Sequence, residues 1–136
     1  MQSMKTENKE SAVNFIGKLD KSIYRCVANG ITTDEVIITD ERIQHIRDHH
    51  PGHYEAVAPF LQMVIAEPDY ILGDTRNTGL VLKWIEENGT RIQIVLRLHT
   101  SADTPGYKNS IISAWKISES RWNNYLRNKH ILYKRK

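Results

Sequence analysis

The chain is poor in most of the features that settle a protein's class at once. It has one cysteine, Cys26, in 136 residues. An intramolecular disulfide is therefore excluded and a reducing compartment is permitted. Cys26 follows Arg25 in an apolar run and reads as a small core residue rather than a nucleophile. Nothing approaches the roughly 18 consecutive apolar residues of a membrane-crossing helix. The opening residues MQSMKTENKESAVNF lack the apolar stretch of a signal peptide, so a cytoplasmic location is expected, in the producing cell or in a target cell after delivery. Strong charge is missing too. Nineteen Lys and Arg against sixteen Asp and Glu give +3 at pH 7, too mild a balance to argue for nucleic acid by itself. No internal repeat or low-complexity segment is present.

What remains is 40% apolar and 26% charged residues, the composition of a soluble globular domain large enough for its own core. Residues 1–10 are polar and expected to be weakly ordered, leaving 11–136 as a single domain. Charge is unevenly spread. The tail from Arg121 to Lys136 carries Arg121, Arg127, Lys129, Lys134, Arg135 and Lys136, no acid, and Trp122, Tyr125 and Tyr133 among them. Such an end suits a phosphate backbone, and equally a terminal amphipathic helix with a charged tip.

Four of the six histidines lie in one stretch, Ile38 to Tyr54. Thr39 is a good helix N-cap, Asp40 and Glu41 suit the positive end of the helix dipole, and Pro51-Gly52 stops the helix. Ile43, Ile46 and His50 recur at i, i+3 and i+7 and point inward. His45 and His49, about 40° apart around the helix, share a second face with Arg42. Imidazole titrates near neutral pH and guanidinium stays cationic, a pairing suited to phosphate chemistry. Two other readings stay open. His45 and His49 are also what the negative end of a helix dipole favours at a surface. Their spacing is also metal-ligand spacing, with Asp48, His53 or Asp74 as a third ligand, although Ile46 stands where a zincin helix needs Glu.

The rest of the chain divides into elements. Ser11 to Leu19 has a short apolar pattern compatible with a docking helix, and Ile23 to Val27 reads as a strand before the turn Asn29-Gly30. Val36 to Ile38 is a strand leading into the histidine helix. His53 to Glu67 has a helical face interrupted at Pro59, followed by a strand at Tyr70 to Leu72. Two alternating segments flank Asn88-Gly89 and predict an antiparallel hairpin, with Lys83 and Arg97 together on its polar face. Ser110 to Ser118 is a last strand, and Ser118 caps a helix running to Lys129. Strict alternation puts Ser113 with Ile111, Trp115 and Ile117, and Lys116 with Ile112 and Ala114. Whether Ser113 or Lys116 faces a cleft is then open. The order predicts an α+β fold: N-terminal helices on a curved antiparallel sheet of about four to five strands, with a C-terminal helix.

Thr-Asp-Glu-Arg-Ile-x-His-Ile-x-x-x-His before a Pro, Glu-Pro-Asp-Tyr-Ile closing the second helix, the basic hairpin and Asn-Ser-Ile-Ile-Ser-Ala on the last strand carry a resemblance. Over about residues 34–118 the chain resembles the phage-associated branch of the barnase–EndoU–colicin–RelE (BECR) metal-independent ribonucleases. The resemblance implies His45 and His49 as helix-borne catalytic histidines, Arg97 as a basic residue on a central strand and Ser113 as the hydroxyl residue of the last strand. Arg42, Lys83, Asn109, Trp115 and Lys116 become candidates for binding substrate. It implies RNA cleavage by the ribose 2′-OH without metal or other cofactor, RNA (transfer RNA among its forms) as substrate, and a toxin held by an immunity or antitoxin protein. A non-catalytic nucleic-acid-binding module and a metal-dependent hydrolase using His45 and His49 are the competing classes.

Overall fold

A computed structural model of the chain describes residues 12–136; the expectation for residues 1–10 lies outside them. In chain order the elements are β1 (Val13–Lys18), α1 (Lys21–Tyr24), β2 (Glu35–Thr39), α2 (Asp40–His49), α3 (His53–Val57), α4 (Leu61–Ala66), β3 (Tyr70–Gly73), β4 (Thr78–Ile85), β5 (Thr90–Arg97), β6 (Asn109–Ile117), α5 (Glu119–Asn128) and β7 (Ile131–Lys134). A 3-10 turn at Ala58–Phe60 joins α3 to α4 around Pro59. The strands form one sheet of seven, in the order β1-β2-β6-β5-β4-β3-β7. Only the β2–β6 pairing is parallel. The α+β class holds, and the sheet is larger than the four to five strands expected. No helix among the described residues is long and apolar enough to cross a membrane.

Both added strands are edge strands. Val13, Phe15 and their neighbours form β1 rather than a docking helix, because pairing with β2 (Val13↔Thr39, Phe15↔Ile37) satisfies their backbone and Gly17 weakens any helix there. The tail supplies β7, which pairs with β3 (Tyr70↔Lys134, Ile71↔Tyr133). Arg135 then donates its backbone N–H to the Asp69 backbone carbonyl, and its guanidinium lies 3.5 Å from the Asp69 carboxylate. Part of the basic tail is thus spent on the sheet. In the other direction, Ile23 to Val27 is no strand. Asp20 accepts the backbone N–H and the hydroxyl of Ser22, which starts the short α1, and wholly buried Tyr24 donates its hydroxyl to the Ile65 carbonyl at 2.8 Å.

The two faces of the sheet differ. Val36, Ile38, Val81, Ile92, Ile94, Leu96, Ile111 and Ala114 pack with Ile46, Val57, Leu61, Val64 and Ile65 of α2–α4 in one continuous core. On the opposite face Leu72, Leu80 and Leu82 form a smaller cluster under Trp122, Tyr125 and Leu126 of α5. The part of that second face formed by β1, β2 and the beginning of β6 lies outside the cluster, with Val13 and Phe15 exposed at its rim, whereas Ile117 at the end of β6 packs against the cluster.

A bulge decides which side chains reach that open half. Leu96 pairs with Ile111 and Val95 with Ser113, so Ile112 has no partner of its own on β5. One extra residue reverses the alternation. Ile111 and Ala114 both face the core, whereas Ser113, Trp115 and Ile117 lie on the second face. The expected grouping of Ser113 with Ile111 is therefore corrected. The hairpin register makes a second correction: Lys83 pairs with Ile92 on the core face and Arg97 with Thr78 on the other, so they are not neighbours on one polar face.

The β2–β6 pairing lasts only two positions, Val36↔Asn109 and Ile37↔Ser110. Asn109, fully buried, clamps it: its amide donates to the carbonyls of Thr33 and Glu35 (2.7 and 3.0 Å) and accepts the His99 N–H (2.8 Å). Replacing Asn109 by Ala orphans three buried backbone groups and is expected to cost about 2–4 kcal/mol of stability. Urea denaturation checks this, and an unchanged midpoint would contradict the clamp.

Candidate functional site

Helix α2 is built as its sequence suggests. The Thr39 hydroxyl accepts the Arg42 N–H at 3.2 Å, Asp40 and Glu41 occupy the first turn, and Ile46 is buried. Gln44 to Asp48 and Arg47 to Glu55 are bonded along its outer sides. On its remaining exposed side the His45 and His49 rings stack, with centroids 4.1 Å apart. His49 Nδ1 lies 3.0 Å from the His45 carbonyl oxygen. A carbonyl can only accept, so Nδ1 carries the hydrogen and Nε2 is the nitrogen left outside this bond.

A second pair of histidines closes the gap that opens where β2 leaves β6. His50, at the end of α2, stacks on Trp115 with centroids 4.4 Å apart, and His53 lies 5.6 Å from His50. The Lys116 backbone N–H, on the part of β6 beyond its pairing with β2, donates to His53 Nδ1 at 3.1 Å. His50 is thus not only a residue of the inward face; it ties the helix layer to the open face of the sheet. Neither His50 nor His53 stood out as a site residue in the sequence beyond a metal option for His53. The signal was their position at the Pro51-Gly52 break, where Gly52 adopts φ 81° and turns the chain into α3.

The other candidates separate into two sets. Ser113, Trp115 and Arg97 lie on the open face of β5 and β6, and Lys116 is exposed beside His53. Arg97 is ion-paired with Asp103 at 2.8 Å and donates to the Leu98 carbonyl. Asp103 also accepts the Thr100 N–H and hydroxyl. The Arg97 hydrogen bond, seconded by the Thr100 backbone, holds this carboxyl down to about 2, so it stays anionic and keeps the guanidinium in place. By contrast, Lys83 is buried, donating to the Glu67 carbonyl at 2.6 Å with Asp69 3.6 Å away. Lys83 and Asn109 are committed to the fold. No hydrogen bond or ion pair among the described residues joins Arg97 or Ser113 to the His45–His49 pair.

His99 went unremarked in the sequence because nothing in its spacing marks it. It is buried, with Nε2–H donating to the Thr104 carbonyl at 2.6 Å and Nδ1 accepting the Thr32 hydroxyl at 2.7 Å. Both nitrogens are spent on anchoring the loop between β5 and β6. A cavity of about 340 Å³ lies there, bounded by Arg97, Asp103, Thr104, Tyr107, Lys108 and Ser110. A larger one of about 550 Å³, between Trp84, Trp122 and Arg135, holds none of the histidines. No group of three or more His, Cys, Asp or Glu among the described residues is arranged to hold a metal ion.

His53 makes the contact pH-dependent. Burial, then the nearby Lys116 and His50, lower its pKa below the ordinary 6.5. A histidine with a lowered folded pKa adds stability above the unfolded value, and that contribution is lost as pH falls through the folded one. Protonation also removes the lone pair that accepts the Lys116 N–H. Stability is therefore expected to fall between about pH 7 and 5, less steeply in His53→Gln. Denaturant midpoints across that range test it; an identical slope in the two proteins would contradict it.

The model of the phage-Barnase-EndoU-ColicinE5/D-RelE like nuclease 2 family matches residues 13–134, nearly the whole described chain. No curated protein and no solved structure matches it.

Proposed function

Because the chain belongs to the phage-Barnase-EndoU-ColicinE5/D-RelE like nuclease 2 family, and is thereby placed among nucleases acting on nucleic acid, we propose that it is a metal-independent endoribonuclease. The observation that carries this is the stacked His45–His49 pair with its exposed edge and a fixed His49 tautomer. RNA brings its own nucleophile. An enzyme need only take the proton of the ribose 2′-OH, stabilise the charge growing on the phosphoryl oxygens and protonate the leaving 5′-oxygen. Two adjacent imidazoles, one neutral and one protonated, meet the first and third needs. His49, whose Nε2 presents a lone pair, takes the base role in this reading and His45 the acid role.

The second need falls to cations and donors. In this reading Arg97 holds the phosphoryl oxygens with the N–H groups left over from Asp103, since a planar guanidinium fits a phosphate better than an ammonium does. Ser113 donates a hydrogen bond from the same face, while Arg42 on α2 and Lys116 beside His53 add positive charge on the helix side of the sheet. Trp115, already bearing His50 on one side, offers its ring to a base. The products are a 2′,3′-cyclic phosphate and a 5′-hydroxyl end. Transfer RNA is a candidate substrate within this reading. A free ribonuclease endangers the cell that makes it, so the reading brings with it an immunity or antitoxin protein and a role in phage or bacterial conflict.

General acid–base catalysis contributes roughly 10²–10⁴-fold. His45→Ala and His49→Ala are each expected to lower cleavage of an oligoribonucleotide by that much, with the same-sequence DNA resistant to all three proteins. Both residues are exposed, so folding should be retained, which circular dichroism checks. Unchanged cleavage in both variants would remove the pair from catalysis. RNA retention without cleavage, indifferent to both substitutions and weakened by salt, would leave a binding module instead.

A further inference from the structure

The open half of the sheet carries one feature that the proposed chemistry does not use. Phe15 on β1 is 61% exposed, and Val13, two residues before it on the same face, is 62% exposed. Together they make a contiguous exposed apolar patch on one face of the sheet, which marks a surface that can meet a ligand. The pairing answers where Phe15 points. Phe15 pairs with Ile37, Ile37 with Ser110, and Ser110 with Arg97. Paired residues share a face, so these four form one row running straight across β1, β2, β6 and β5. It begins at an uncovered aromatic ring and ends at the guanidinium assigned to the phosphate.

We propose that this row is the track of a single RNA strand, with Phe15 as a stacking platform for a base outside the cleaved pair of nucleotides; the proposal rests on the ribonuclease reading above. Three strand-to-strand steps separate Phe15 from Arg97, roughly 14 Å, which is further than one nucleotide reaches from its phosphate to its own base. A dinucleotide bound at Arg97 cannot touch Phe15, whereas a longer strand can. The chemistry along the row suits that occupant. Two cations stand at the phosphate end, Arg97 paired with Asp103 and Lys108 paired with Glu35 at 3.2 Å, each with N–H groups left for a phosphate oxygen. Ser110 offers a hydroxyl, and Ile37 and Phe15 offer apolar surface on which any base can stack. A protein partner or a second copy of this chain would instead use β1 as an edge, pairing with its outer backbone, which has no strand partner among the described residues, and covering Val13 and Phe15 together.

The test compares wild type, Phe15→Ala and Phe15→Trp on a dinucleotide and on a series of oligoribonucleotides extended at either end. Phe15→Ala is expected to leave dinucleotide cleavage unchanged and to lower kcat/KM for the longer strands roughly 5- to 100-fold, the range of one base–aromatic stack, with Phe15→Trp restoring it. Fluorescence anisotropy with a 2′-deoxy-substituted, uncleavable strand reads the same row without any chemistry. Loss of its affinity in Phe15→Ala, in a protein that cleaves no RNA, would keep the track and overturn the ribonuclease reading. Cleavage of long strands unaffected by Phe15→Ala would overturn the track and leave the ribonuclease standing. An equal loss on dinucleotide and long strands would also overturn it, marking a role in the fold. A wild-type dimer in analytical ultracentrifugation that Phe15→Ala makes monomeric, with RNA cleavage unchanged, would reassign the surface to a second copy.

Discussion

Everything in this fold turns on how briefly β2 and β6 run together. Parallel strands need a long crossover, and here it comprises α2, α3, α4 and the β3–β5 meander before β6 returns beside β2. Two paired positions join them, clamped by the buried Asn109 amide. Beyond those positions the strands part, and the chain leaving β2 turns at once into α2. The gap leaves the backbone edge of β6 without a strand partner. The turn between α2 and α3 fills it, with His53 accepting the Lys116 N–H and His50 lying on Trp115. A tighter sheet would have placed another strand where the histidines now stand.

The same separation sorts the polar residues. Those near the pairing, Asn109 and His99, have every polar atom occupied and act as struts. Lys83, on the core face, is consumed by Glu67 and Asp69. Those at the gap and on the open half of the sheet keep free valences: the outward nitrogen of His49, the Ser113 hydroxyl, the Arg97 N–H groups not taken by Asp103 and Leu98, and the side of the Trp115 ring away from His50. That division is the physical ground for reading one set as scaffold and the other as chemistry. It also explains why a nuclease site would sit away from the larger of the two cavities. Attack by a neighbouring hydroxyl on a flexible strand needs donors along an open surface more than it needs an enclosed pocket.

Much of this was legible in the residues, and the losses have distinct causes. Helix α2 was readable because its signals are local: a Thr cap, acids in the first turn, a 3.6-residue apolar stripe and a Pro-Gly stop. The Asn88-Gly89 hairpin and the Ser118-capped α5 were readable for the same reason. β1 and β7 were not, since short edge strands owe their existence to partners far along the chain, and the apolar run Ile23 to Val27 resembles a strand unless the Asp20–Ser22 cap before it is taken into account. The face assignments failed at single-residue resolution. A bulge at Ile112 reversed the parity of half of β6, and the hairpin register set Lys83 and Arg97 on opposite faces. Alternation cannot reveal an inserted residue, and the resemblance that made Lys83 and Asn109 binding candidates carries no information on burial, which commits both side chains to hydrogen bonds within the fold. His50 and His53 were undervalued because their contacts lie at a chain reversal, where no periodicity applies.

The central claim is that this chain cuts RNA by turning the ribose hydroxyl against its own phosphodiester. Its most direct test is digestion of total RNA by the purified protein in excess chelator, followed by mass spectrometry of the fragment ends. Undiminished cleavage is expected, with 2′,3′-cyclic phosphates at one end and 5′-hydroxyls at the other. Fragments bearing 5′-phosphates, or activity abolished by the chelator and restored by a divalent metal, would contradict it.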